Sequence, residues 1–383
     1  MNKLIRILLY ITIFLTLDFS ITNLLFKKTN FWSQIEKIYF VKKNWRIKSD
    51  LYHHDFKKNV DVIESWGHLK YRLITNSLAF RDFGKNEIKL KNSKKERIYM
   101  IGDSFIEGVG YEYKDTVAGL INNEFSSKYE ILNASVVSYS PSIYYTKTNY
   151  FIERGLKFDH CFIFLDISDI ADENFIEEDA TGNIYDIRQK KKETSIKGKV
   201  YSFFRIYRDY FTSGRFFYVI RELTGNYKSN LKKRYLASKK FGKSFFTISQ
   251  EDINLYKSTH IDRSMWTFDE KYSKKWKSNG LKKSKKYLNQ LFILLNKNNI
   301  KSHLVIYPNP AQILLNHENV HEKYWLNWAT KNNISIVNLY KYFNFNEKEE
   351  TIKKYFIAGD VHWNKEGNLL IFNSLKKEIL DNF

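Results

Sequence analysis

The chain reads as an α/β protein built on a parallel central sheet, preceded by an apolar N-terminal helix and interrupted by a helical insertion. Three observations carry this reading. Strand-like runs alternate with helix-periodic segments from Arg97 to about residue 175, and again from Gly280 to the end. One run, Cys161-Phe162-Ile163-Phe164-Leu165, is continuously apolar, as expected of a strand buried on both faces. Three polar features, Ser104, Asn133-Ala134-Ser135 and Asp166-Ile167-Ser168-Asp169, fall where predicted strands end, and ligands sit at that edge of open α/β sheets.

The totals permit a large core and exclude several classes. The 383 residues are 43% hydrophobic and 17% aromatic, with three prolines and no long Pro/Gly/Ser linker. Such a length fits one α/β domain with an insertion as well as two domains. Lys and Arg number 63 against 42 Asp and Glu, a net charge of +21. Charge alone speaks to solubility and nonspecific attraction. No zinc-finger spacing, aromatic RNA-binding signature or basic recognition helix accompanies it, so nucleic acid is not an expected partner. An anionic membrane surface or an acidic polysaccharide remains open. The one cysteine, Cys161, lies in an apolar run and excludes an internal disulfide or a cysteine-rich zinc site.

In chain order, Ile7 to Phe26 is about the ~20 residues a membrane helix needs. Asp18 is an objection, because a carboxylate at the centre of a span costs roughly 2.5–3.5 kcal/mol. Ile7 to Leu17 also fits a signal-peptide core, but no small-x-small cleavage site follows. The reading adopted is an uncleaved signal anchor over residues 1–28, with a buried amphipathic helix as the alternative. Lys3 and Arg6 precede the span while Lys27, Lys28, Lys42 and Lys43 follow it, so charge does not set its orientation.

Residues 29–94 form a mixed, basic extension. His53-His54-Asp55 suggests a metal site only superficially, since adjacent strand residues point to opposite faces and no third ligand is recognisable. Thr75-Asn76-Ser77-Leu78-Ala79-Phe80-Arg81-Asp82 reads as a turn into the core domain whose polar groups cap backbone, with lining a site as the alternative. Then come a strand at Ile98–Ile101, a helix at Thr116–Phe125, a strand at Glu130–Asn133, a helix at Ser142–Arg154 and the strand at Cys161–Leu165. Alternation breaks at about 174–275. There, Tyr201 to Leu223 interleaves Phe203, Phe204, Phe216 and Phe217 with Arg205, Arg208, Arg215 and Arg221. A helical cap, an interfacial membrane element or a sugar-stacking surface would each use such a stretch. Alternation resumes with a helix at Gly280–Lys297, strands at Ser302–Tyr307 and Ser335–Leu339, a helix at Val320–Lys331 and a closing helix from Gly367.

Ser104 at a strand-to-helix turn reads by itself equally as a helix N-cap. Asp360-Val361-His362, far along the chain, changes its meaning, because an Asp and a His two apart in extended chain leave the same face. The blocks Gly102-Asp103-Ser104, Asn133-Ala134-Ser135, Asp166-Ile167-Ser168-Asp169 and Asp360-Val361-His362 resemble the SGNH/GDSL hydrolase superfamily, over roughly residues 95–175 and 280–383. Thr75 to Arg81 and the Asp-x-His-Trp-Asn wording are similar to membrane-anchored bacterial members associated with surface polysaccharides, and to alginate O-acetyltransferase-type members.

That resemblance implies a three-layer α/β/α, flavodoxin-like fold over residues 95–383, with the insertion at about 174–275. It implies Ser104 as nucleophile, His362 as base and Asp360 as its orienter. The oxyanion and substrate-binding positions would be Ser135, Ser168 and Asp169, with the amides of Ser104 and Ser135 as donors. Ser135 stands where the family usually has glycine, and Ser168 where it has asparagine. Ile106, two after the serine, is not the glycine of an α/β-hydrolase elbow. The expected activity is a serine esterase, or an acyltransferase using the same acyl-enzyme, on an acylated carbohydrate such as an O-acetyl glycan or on another ester. No cofactor or metal is expected, and the catalytic domain is expected on the extracytoplasmic side. The alternative is a carbohydrate-binding or assembly protein on the same scaffold with impaired catalysis.

Overall fold

The computed structural model describes residues 3–25, 45–66, 69–91, 95–224, 265–267, 270–315, 320–358 and 360–380. The chain divides into two compact units: Met1–Asn44 with Ile187–Lys232, and Trp45–Asp186 with Lys233–Phe383. The first unit opens with helix α1 (Lys3–Ser20), which runs on as one π-helical turn, Ile21–Leu25. The second begins with two antiparallel hairpins, β1 (Arg46–Ser49) with β2 (His53–Phe56) and β3 (Asp61–Trp66) with β4 (Leu69–Ile74). There follow β5 (Glu96–Ile101), the short helix α2 (Ser104–Glu107), α3 (Val117–Phe125), β6 (Tyr129–Asn133), α4 (Pro141–Glu153), β7 (His160–Leu165) and α5 (Asp169–Glu173). A small hairpin, β8 (Ile176–Glu178) with β9 (Ile184–Asp186), ends this stretch. The first unit resumes with α6 (Ile187–Thr194), α7 (Ile196–Tyr210) and α8 (Thr212–Thr224). The second closes with α9 (Glu270–Lys297), β10 (Lys301–Ile306), α10 (Pro310–Leu315), α11 (Val320–Lys331), β11 (Ile336–Asn338), α12 (Lys348–Tyr355) and α13 (Lys365–Glu378).

Five strands pair in the order β11-β10-β7-β5-β6, and every pairing is parallel. This is the flavodoxin-like order, whose direction of winding reverses between β5 and β7. Side chains alternate across the sheet. Tyr99, Ile101, Cys161, Ile163 and Leu165 enter one core with Leu288, Leu291 and Leu295 of α9. Ile98, Met100, Phe162, Phe164 and Val305 enter another with Ile121, Ile352, Ile371 and Leu375. Two cores on opposite faces of one sheet make the three layers. All six residues of β7 are buried, which explains why its sequence is apolar throughout.

Two expectations change. His53 and His54 do not point apart: their Nδ1 atoms lie 2.6 Å from each other. His53 has φ 73°, in the left-handed region, so the alternation of an ordinary strand does not hold there. Burial brings the His54 pKa down to about 3. The ring is therefore neutral, and its Nε2–H donates to Val137 O at 2.7 Å.

Asp18 is also not a bare charge on an apolar helix. It is buried, and it accepts hydrogen bonds from the Ser213 backbone N–H at 3.1 Å and from the Ser213 hydroxyl. Ser213 lies in the first turn of α8, where helix amides lack internal acceptors and favour negative charge. Lys3–Leu24 is long and apolar enough to cross a membrane, and Asp18 falls near the C-terminal end of that span. The aromatic-arginine stretch forms α7 and α8, while residues 225–264 of the insertion lie outside the described residues.

Candidate active site

The site lies where the winding reverses. Strand β5 delivers Gly102-Asp103-Ser104 at its carboxyl end, beside the end of β7 at Asp166. Ser104 is not the cap of α2. Asp103 is, and its Oδ1 accepts the Phe105 N–H at 3.0 Å. Ser104 is thus the first helical residue, held by the turn rather than spent on closing it. The helix ends at Gly108 (φ 77°), where an added Cβ would come 2.3 Å from Thr116. Only glycine suits that geometry.

His362 reaches the same point from the other end of the chain. Its Nε2 lies 2.7 Å from Ser104 Oγ, and its Nδ1 bonds Asp360 Oδ1. A carboxylate can only accept, so Nδ1 carries the proton and Nε2 presents its lone pair to the serine hydroxyl. Burial disfavours the imidazolium, but Asp360, with Asp103 and Asp166, outweighs it and raises the His362 pKa above its usual value. The residues that follow fix this placement. Trp363 packs on Phe105, the neighbour of Ser104, with ring centroids 4.8 Å apart. Asn364 caps α13 by accepting the Gly367 N–H at 2.9 Å. The Asp-x-His-Trp-Asn block is therefore carboxylate, imidazole, core anchor and helix cap in sequence.

Trp66, on β3, joins the site from the N-terminal extension. Its Nε1–H donates to Asp360 Oδ2 at 3.2 Å, and its ring meets His362 edge-on with centroids 5.0 Å apart. Both oxygens of Asp360 are thereby engaged. No motif signals Trp66, because it belongs to a hairpin of the N-terminal extension.

The other expected positions have different surroundings. The Ser135 N–H donates to Asn133 Oδ1 at 3.2 Å, and its hydroxyl to Met100 O at 3.4 Å. The left-handed residue of that loop is Ser138, with φ 63°; Ser135 is not in that region. Ser168 stands at the N-cap position of α5 without a side-chain capping bond, and its N–H donates to Asp166 Oδ2 at 2.9 Å. Asp169 accepts from Tyr144 Oη at 2.8 Å and from the Asp166 N–H at 3.0 Å. Asp103, Asp166 and Asp169 bring one oxygen each to within 4.8 Å of the others, the one such convergence of three potential metal ligands among the described residues.

These carboxyls hold protons readily. Burial and then Asp166 push the Asp103 pKa up to about 7. Burial also raises Asp166, and burial with its two neighbours raises Asp169. Burial puts Glu173 at about 7 as well. A carboxyl whose folded pKa exceeds its unfolded value contributes stability that is complete below the unfolded value and is lost as pH rises through the folded one. Buried His54 and His321, both at about 3, act in the opposite sense, but only below the free-histidine value of about 6.5. The unfolding temperature should therefore fall as pH is raised from about 6.5 to about 8. Asp103→Asn should flatten that fall in a differential scanning fluorimetry series; an unchanged slope in the variant would contradict the assignment.

No protein-family model and no curated protein matches the chain. Among solved structures it is similar to a member of the lipolytic protein G-D-S-L family from Veillonella parvula DSM 2008, at 13% identity over 74% of this chain and 98% of that one, TM-score 0.36. It is also similar to a GDSL-like lipase from Bacteroides thetaiotaomicron VPI-5482, at 12% identity over 77% of this chain and 93% of that one, TM-score 0.38.

Proposed function

We propose that the protein is an SGNH-type serine esterase acting on acyl esters, most specifically O-acetyl groups of a glycan, by hydrolysis or by transfer. The observation that carries this reading is the 2.7 Å approach of His362 Nε2 to Ser104 Oγ, with Asp360 on the far side of the imidazole. As Ser104 Oγ attacks the ester carbonyl, Nε2 takes its proton and passes it to the departing alkoxide. Water, or a sugar hydroxyl, then attacks the acyl-serine and gives its proton to the same nitrogen, which returns it to Ser104 Oγ as that oxygen leaves the acyl carbon, freeing the acid or the new ester. Asp360 holds the tautomer and offsets the imidazolium charge. The Ser104 amide, in the first turn of α2, is the donor we assign to the oxyanion.

The scaffold reading keeps one specific support. The Ser135 amide and Ser168 are both engaged away from Ser104, and three buried carboxyls crowd the place where negative charge would develop. A fluorophosphonate probe separates the two. The esterase reading expects covalent labelling of the full-length protein on Ser104, lost in His362→Ala, together with release of acetate from an O-acetylated polysaccharide. A protein that binds the polysaccharide but takes no label would support the scaffold instead. We assign α1 as a single membrane anchor, with the catalytic unit on the extracytoplasmic side. Carbonate extraction that frees the full-length protein would overturn the anchor.

A further inference from the structure

Helices α7 and α8 leave large apolar side chains in the open. Ile196, Phe203, Phe204, Phe216 and Phe217 are each more than half exposed. Scattered apolar residues on a surface need no explanation, but contiguous aromatic patches mark interaction sites. Here the two helices form a tight hairpin. Gly214 lets them approach, since a Cβ there would lie 2.4 Å from Tyr207 O, and Tyr207 Oη bonds Ser213 Oγ at 2.5 Å. The exposed rings are thus carried by an ordered element. Between the helices a cavity of about 350 Å³ is lined by Tyr201, Phe204, Phe217 and Tyr218 together with Arg205 and Arg208.

The same unit supplies a reason for the exposure. The turn of the hairpin is fastened to the end of α1 through Asp18 and Ser213, Thr22 Oγ1 and Thr212 Oγ1 at 2.5 Å, and Phe19 and Phe211 at 5.8 Å between centroids. The fastening lies at the end of α1 away from Lys3, roughly 22 Å along a helix rising about 1.5 Å per residue. That distance places the fastening, from Asp18 to Thr22, in the last third of the Lys3–Leu24 apolar span, toward its Leu24 end. The charge of α6 and α7 is predominantly basic: they carry Arg188, Lys190, Lys199, Arg205 and Arg208 among their basic residues, against Glu193 and Asp209, and Asp209 pairs with Arg208 at 2.7 Å. Exposed aromatic side chains interleaved with cations are the composition of an element lying in the headgroup region of an anionic bilayer.

We propose that the α7–α8 hairpin is a second membrane-contact element, inserting Phe203, Phe204, Phe216 and Phe217 into the headgroup boundary of an anionic phospholipid leaflet with Arg205 and Arg208 on lipid phosphates. The proposal takes α1 as the neighbouring anchor, and the two ideas separate in one experiment. The full-length protein is placed in nanodiscs of phosphatidylglycerol with phosphatidylcholine, or of phosphatidylcholine alone. Spin labels are introduced singly through Phe203→Cys, Phe217→Cys, Ile11→Cys on α1 and Ile63→Cys on β3, Ile63 being 65% exposed in the α/β unit. Collision with oxygen and with a water-soluble nickel chelate is then compared.

Labels at 203 and 217 should favour oxygen, as at 11, while the label at 63 favours nickel. The membrane preference at 203 and 217 should weaken in phosphatidylcholine and in Arg205→Gln with Arg208→Gln. If 11 is in lipid while 203 and 217 match 63, the hairpin inference falls and the anchor stands. If 11 is aqueous, the anchor falls, and 203 and 217 in lipid would then support the hairpin by itself. Equal depth in both lipid compositions would overturn the assignment to an anionic surface.

Discussion

Ser104→Ala is expected to lower p-nitrophenyl acetate hydrolysis by about 10⁴- to 10⁶-fold, with the fold intact. The size of the effect follows from the geometry. Among the described residues Ser104 Oγ is the one atom on which His362 Nε2 closes at hydrogen-bonding distance, so its removal would leave a base at His362 with nothing to activate. Folding should survive, because the cap of α2 belongs to Asp103 and the neighbouring core to Phe105 and Trp363. A serine hydroxyl that served only as a cap would show the reverse pattern, with lost stability and little lost activity. Steady-state kinetics and a urea melt on the same preparation therefore distinguish the roles. Activity surviving within tenfold would remove Ser104 from the chemistry.

Lys147→Met should destabilise the protein by about 3–5 kcal/mol, the cost of stripping the partner from a buried charge. Lys147 sits on α4 with no exposed surface, and its Nζ donates to Asp55 Oδ1 at 2.9 Å, Ala134 O at 2.9 Å and Tyr139 Oη at 3.0 Å. Asp55 comes from β2 and also takes the Tyr52 hydroxyl at 2.9 Å. The pair joins the N-terminal hairpin to the loop after β6, close to the candidate site. Burial draws the Lys147 pKa down, yet three acceptors and the Asp55 charge keep the ammonium worth holding. Combining Lys147→Met with Asp55→Leu should recover much of the loss, since no uncompensated charge then remains. Chemical denaturation of both variants measures the coupling, and additive losses would mean that the two groups act independently.

Much of the α/β unit was legible in the sequence. Each predicted strand from Ile98 onward lies on an observed one within a residue or two, because β5 and β7 announce themselves through buried runs and the helices through their period. The Asp360-His362 spacing was legible as a local pattern, although the segment is a bend in which the His362 N–H donates to Asp360 Oδ1 at 3.1 Å rather than extended chain. The surroundings of the serine were not. That Ser104 is a first helical residue rather than a cap depends on the side chain of Asp103, and that Asp103, Asp166 and Asp169 converge depends on β5 and β7 being neighbours in the sheet.

The same division explains the misses. Trp66 carries no motif, and it meets His362 only because the β3–β4 hairpin folds over the edge of the site. The His53–His54 pair reversed its expected geometry through one left-handed residue, a backbone choice that histidine side chains do not advertise. Asp18 read as a flaw in an apolar helix until Ser213, nearly two hundred residues away, supplied its donors. Periodicity and local spacing act over a few residues and survive in the sequence. Partners for buried charge are chosen across the fold, so only the tertiary structure could decide what Asp18, Lys147 and the three carboxyls beside Ser104 are doing.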